Sequence, residues 1–130
     1  MSNIIMSSIV QGLDHLQLAM PEGEEAKARA FYGDLLGLRE LPKPTQLVAR
    51  GGCWFALGTQ ALHLGVETPF SPARKAHPAF RVFDLEGCRQ LLEGASVQTV
   101  RDTAVPSVRR FYAADPFGNR LEFMQAGDSF

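Results

Sequence analysis

The chain has 130 residues, 45% of them apolar and 21% charged, with a net charge of −1. That suits one domain with one core, and it excludes a strongly basic nucleic-acid binder or a polybasic membrane-surface protein. No apolar run approaches the ~20 residues that span a bilayer, and the start, "MSNIIMSSIV", lacks the basic region and longer apolar core of a secretory signal. Cys53 and Cys88 show no C-x-x-C spacing and read as reduced thiols, so the expectation is a cytoplasmic protein that engages neither nucleic acid nor membrane.

Residues 1–10 read as an N-terminal extension. "LDHLQLAM" (Leu13 to Met20) then alternates apolar and polar residues and predicts a strand. Pro21 and the early acids Glu22, Glu24 and Glu25 open a helix that carries Phe31, Leu35 and Leu38 at helical spacing, and Gly37 ends it. "LRELPKP" is too rich in proline to pair regularly. "TQLVARGG", "CWFALG" and "QALHLGVE" predict three short strands separated by glycines.

"TPFSPARK" is a connector, after which the pattern starts again. "HPAFRVF" predicts a strand, and Asp84 caps a helix over "LEGCRQLLEG" that Gly94 ends. "SVQTV" and "VRRFYAAD" predict strands, and "PFGN" turns the chain into a last strand, "RLEFMQ". The chain therefore reads as β-α-β-β-β twice: an α+β fold in one domain spanning 11–127, with one module at about 11–67 and the second at about 76–127.

Setting "HLQLAM" over "HPAFRV" places His15 on His77, and setting "GTQALHL" over "FGNRLEF" places His63 on Glu122. A duplicated unit of this size is one that cannot bury its sheet alone. Strand side chains alternate faces. In each of these strands the large apolar residues share one face, and a His or Glu stands on the other among small or polar neighbours. All three histidines of the chain fall at these positions. If the modules pack with pseudo-twofold symmetry, His15, His63, His77 and Glu122 converge. Three imidazoles and a carboxylate suit a borderline divalent ion such as Zn, Ni, Co, Fe(II) or Mn better than Mg or Ca.

In "LDHLQLAM", "AFYGDLLGL", "HPAFRV" and "FYAADPFGNRLEF" the chain resembles the vicinal oxygen chelate superfamily: glyoxalase I, fosfomycin resistance proteins, extradiol dioxygenases, methylmalonyl-CoA epimerase and bleomycin resistance proteins. The resemblance covers Gln11 to Gln125. It implies two βαβββ modules forming a cupped mixed sheet around a metal, and a homodimer, often with modules paired across subunits. It also implies that His15, His77 and Glu122 are metal ligands. His63 stands in the slot where glyoxalase I carries a glutamate and the epimerase a glutamine. Gln17 occupies the place of the catalytic threonine of the fosfomycin enzymes, and the chain ends soon after Gln125, so both points argue against fosfomycin transfer.

The resemblance further implies a metal-dependent enzyme of lyase, isomerase or dioxygenase type, whose ion chelates two oxygens of a small-molecule substrate. Glu122 would move a proton, and Tyr112, at an aromatic position bordering the pocket, would donate a hydrogen bond. Gln17, Trp54, Arg81 and Arg110 are the candidate substrate contacts, with Arg120 a further arginine able to meet an anionic group. Taken singly, each arginine reads more readily as solvated surface; Tyr112 reads equally as core packing, His63 equally as a polar cavity-lining residue, and Trp54 as core or pocket wall. The alternative function is a non-catalytic small-molecule binder of the bleomycin resistance kind.

Overall fold

A computed structural model describes residues 8–130. The expected N-terminal extension lies outside them except for its last three positions. β1 (His15–Met20) leads into α1 (Glu25–Ala28), which continues as a wider π-type coil over Arg29–Leu35. Then come β2 (Glu40–Leu41), a 3₁₀ turn (Thr45–Arg50), β3 (Cys53–Leu57) and β4 (Gln60–Val66). The second half repeats the order: β5 (Ala79–Val82), α2 (Leu85–Gly94), β6 (Val100–Arg101), β7 (Arg110–Ala114) and β8 (Arg120–Gln125). Two four-stranded mixed sheets result, in the orders β1-β4-β3-β2 and β5-β8-β7-β6. In each, the first strand runs parallel to the last and the remaining pairs are antiparallel.

The alternation read from the sequence decides which face is covered. Leu62, Leu64, Phe55, Cys53 and Met20 are buried together with Phe31 and Tyr32 of the first helical segment. Phe80, Phe111, Leu121 and Phe123 form the corresponding layer with Leu92 of α2, and Phe111 stacks on Phe123 at 5.2 Å between centroids. One continuous apolar cluster joins the two layers. Each such side chain taken from water contributes about 1.5–3 kcal/mol. α2 begins as its sequence predicts: the Asp84 carboxylate accepts from the Gly87 amide at 3.0 Å.

Three local expectations fail. "TQLVARGG" is not a strand. Pro44 lacks the amide a ladder needs, Thr45–Arg50 coils into a 3₁₀ turn, and Gly51 and Gly52, at φ 75° and 81°, reverse the chain into β3. The first sheet is completed instead by Glu40–Leu41, in the segment that had been read as unpaired because of its prolines; pairing stops just before Pro42. "SVQTV" contributes only its last residue to β6. α2 ends at Gly94 as its sequence predicts, and the left-handed residue that follows is Ser96 (φ 67°).

The modules are tied by a buried carboxylate. Asp115, in the turn between β7 and β8, accepts from the Tyr32 hydroxyl at 2.7 Å, from Asn119 Nδ2 at 2.9 Å and from the amides of Phe117 and Asn119. Asn119 Nδ2 also donates to the Ala19 carbonyl of β1 at 2.8 Å. No helix among the described residues is long and apolar enough to cross a membrane.

Candidate functional site

The uncovered face of the second sheet carries one connected polar cluster. Glu122 is 3% exposed, so burial of its charge requires partners. It has two: His77 Nε2 stands 2.9 Å from Oε1, and Arg110 Nη1 stands 3.4 Å from Oε2. Arg110 is itself fixed, with Nη2 3.1 Å from Asp102 and Nη1 donating to the Tyr112 hydroxyl at 2.9 Å. Its Nε is buried without a partner. Register explains the cluster, because Tyr112 lies directly across from Glu122 on β7 and β8. His77 sits in the loop before β5, not on the strand, and its Nδ1 is held 3.0 Å from the Lys75 carbonyl. That contact leaves Nε2 directed at the carboxylate.

The first sheet carries an aromatic ladder at the related positions. Trp54 and His63 are cross-strand partners and stack at 3.8 Å with an interplanar angle of 1°. His15 stacks on the other side of His63, at 4.2 Å and 18°. His63 is therefore buried between two rings, and burial, followed by the neighbouring His15, holds its pKa below the ordinary value. His15 is exposed, with Nδ1 2.9 Å from Asp14. Gln17 pairs in register with His63 and covers Gly65, where any Cβ would lie 2.7 Å from the Gln17 amide nitrogen.

The four predicted ligands thus stand as two pairs, one on each sheet. Bonds of about 2.1 Å put two ligands of one ion roughly 3.0–3.4 Å apart, so the 2.9 Å His77–Glu122 spacing fits an ion with little movement. The rings of His15 and His63 lie in nearly parallel planes, in which their lone pairs also lie, so converging on one ion requires one ring to turn. Among the described residues no three His, Cys, Asp or Glu side chains cluster closely enough to hold an ion.

Of the other predicted contacts, Trp54 belongs to the ladder and Arg110 is committed to Glu122, Tyr112 and Asp102. Arg81 is exposed, beside Met124 in the register. Arg120 lies over the Tyr112 ring at 4.1 Å. Gln17, His77 and Arg120 line a common cavity of about 420 Å³, where the edge of the first sheet meets the second. Sequence reasoning missed Asp102; a carboxylate in a loop before β7 carries no periodic signal.

A family model described as the Glyoxalase/Bleomycin resistance protein/Dioxygenase superfamily matches residues 12–123. No curated protein sequence matches the chain at a significant level. Among solved structures, a protein assigned to the glyoxalase family from Bacillus anthracis is 51% identical over 92% of this chain and 98% of its own, with a TM-score of 0.88. A lactoylglutathione lyase from Agrobacterium tumefaciens is 19% identical over 92% of this chain and 96% of its own, with a TM-score of 0.71. A genomically encoded fosfomycin resistance protein from Listeria monocytogenes is 14% identical over 91% and 95%, with a TM-score of 0.72. The last two share the fold alone. With a family model covering most of its length and a 51% identical relative of the same fold, the chain belongs to the glyoxalase/bleomycin resistance protein/dioxygenase superfamily.

Proposed function

We propose that the protein is a metal-dependent enzyme of lyase, isomerase or dioxygenase type, acting on a small oxygenated substrate. The observation that carries this reading is the His77–Glu122 pair at 2.9 Å, with Glu122 buried and braced from behind by Arg110. A buried carboxylate beside an imidazole that itself lines a cavity is an arrangement that stability alone does not call for. His15 and His63 supply the other two ligands. Because each pair belongs to its own sheet, the shell closes in a homodimer that sets the first sheet of one protomer against the second sheet of its partner.

A divalent ion held there would act as a Lewis acid toward two substrate oxygens. The chain's own groups supply the rest. Arg110 holds one Glu122 oxygen, and the other faces His77, which lines the cavity. Glu122, once displaced from the ion by the substrate, would be the base that takes its proton. The Tyr112 hydroxyl accepts from Arg110 and so keeps its own proton to donate to a substrate oxygen.

Elemental analysis of untagged protein, beside His77→Ala and Glu122→Ala, tests the reading. One transition-metal equivalent per site, lost in both variants, is expected. No uptake in the parent, even from excess divalent ions, would overturn it and leave the binding-protein alternative. Mixing His15→Ala with His77→Ala protomers tests the sharing. If sites form across the dimer, mixed dimers regain one intact site of two; if each chain builds its own, none returns.

A further inference from the structure

An open groove of about 960 Å³ runs between the first helical segment, the chain after α2 and the exposed face of β7. Its size suits a ligand of a few dozen atoms. Phe31, Leu35 and Val97 give it apolar walls. Asp115 is its one acidic lining residue, and both oxygens of that carboxylate are already filled by four internal hydrogen bonds. Its cations differ in how they are engaged. Lys27 is paired with Glu24. Arg74 and Arg120 have no carboxylate partner among the described residues.

Arg120 is unpaired for a structural reason. Glu122, the nearest acid on its face of β8, is taken by His77 and Arg110. The Arg120 guanidinium carbon instead stands 4.1 Å from the Tyr112 ring centroid, and its N–H groups have no side-chain or carboxylate partner among the described residues. It also lines both the groove and the smaller cavity that contains His77 and Gln17. A ligand gripped by Arg120 therefore has an apolar body in the groove and its anionic end beside the candidate reaction centre.

Resting on the functional reading above, we infer that the substrate is an amphiphilic anion: an apolar body in the groove, with a carboxylate or phosphate held by the Arg120 guanidinium and reinforced by Arg74. Of the three arginines open to this role in the sequence, the geometry selects Arg120. Arg110 is engaged by Tyr112, Glu122 and Asp102, and neither it nor Arg81 is among the residues lining the groove.

The test is calorimetric titration with benzoate, phenyl phosphate and the neutral isostere benzamide, on parent, Arg120→Gln and Arg120→Lys proteins, with metal content measured on the same samples. Both anions are expected to bind at least tenfold tighter than benzamide, as charge-assisted hydrogen bonds require. Arg120→Gln should remove that preference and Arg120→Lys restore part of it. A preference for phenyl phosphate over benzoate, or the reverse, distinguishes the anionic group. Equal affinity for benzamide, or an anion preference that survives Arg120→Gln, overturns the inference. If Arg120→Gln fails to fold, amide shifts on adding benzoate to the parent decide. Shifts centred on Val97, Ala114 and Gly118 support the groove, and their absence there overturns it. Metal uptake with no anion preference defeats this inference alone; anion binding without metal defeats the catalytic reading alone.

Discussion

Tyr32 and Asp115, 83 residues apart in sequence, share a buried 2.7 Å hydrogen bond. It joins the helix of the first module to the β7–β8 turn of the second, and Asn119 extends the link to β1. Tyr32→Phe is expected to cost about 1–2 kcal/mol, because Asn119 still serves the same Asp115 oxygen. Asp115→Ala strands four donors and should cost about 3 kcal/mol or more. Urea unfolding of both variants and of the double mutant measures the coupling; additive effects would mean that the link does not act as a unit.

The same bond has a pH signature. Burial, then the Asp115 charge, raises the Tyr32 pKa well above its ordinary value. A group raised in the folded state contributes stability in full below its unfolded pKa of about 10 and loses it as pH climbs from there toward the folded value. Stability should therefore fall more steeply above pH 10 in the parent than in Tyr32→Phe. Parallel curves for the two proteins from pH 9 to 11 would contradict the assignment.

Gly52 and Gly94 should respond to alanine in opposite directions. At Gly52 a Cβ would sit 2.1 Å from the Leu64 carbonyl oxygen, with φ at 81°, and neither strand can yield without breaking the β3–β4 ladder. Gly52→Ala should cost at least about 3 kcal/mol or prevent folding. At Gly94 no heavy atom lies within 4 Å and φ is ordinary, so Gly94→Ala should add up to about 1 kcal/mol. Thermal melts of the two variants decide; a tolerated Gly52→Ala would mean the turn adopts another path.

Both thiols should be slow to react. Burial, the largest influence, pushes Cys53 up to about 11, and it raises Cys88 as well. The reactive thiolate is therefore scarce at pH 8. A disulfide reagent should label both far more slowly than free cysteine and at full speed in denaturant. Rapid labelling of the native protein would show an opening that the packing does not provide.

Trp54 is the chain's single tryptophan, and it lies flat on His63. If His63 takes part in the proposed metal site, Co(II) or Ni(II) should quench Trp54 emission saturably in the parent. His63→Ala should abolish the saturable phase. Quenching of equal depth and midpoint in that variant would remove His63 from the ligand set.

What was legible in the sequence is what periodicity controls. The alternation of "RLEFMQ" sets β8 at Arg120–Gln125, and Asp84 before "LEGCRQLLEG" sets α2 at Leu85–Gly94. The duplicated positions of His15, His63, His77 and Glu122 put two residues at each sheet, His77 just ahead of its strand, but alternation says nothing of how far apart two sheets stand. Arg110 looked like any surface arginine because its partners, Asp102 and Glu122, reach it from other strands and loops. The 3₁₀ turn over Thr45–Arg50 was misread because "QLV" has strand-like composition, while Pro44 and the paired glycines, which act through the backbone, decide its path.

The parallel pairing of β1 with β4 and of β5 with β8 also orders events in time. β3 and β4 are joined by a two-residue turn at Gly58–Thr59, and β7 and β8 by the Asp115–Asn119 turn, so these hairpins can form from local chain motion alone. His15 can settle beside Ala61, and Ala79 beside Glu122, only after a whole helix and its flanking loops have been enclosed. Folding should therefore proceed from two hairpin nuclei outward, at the slower pace of chains dominated by distant contacts. The edge strands that carry or follow His15 and His77 would dock last, so the candidate ligands would be assembled at the end of the process.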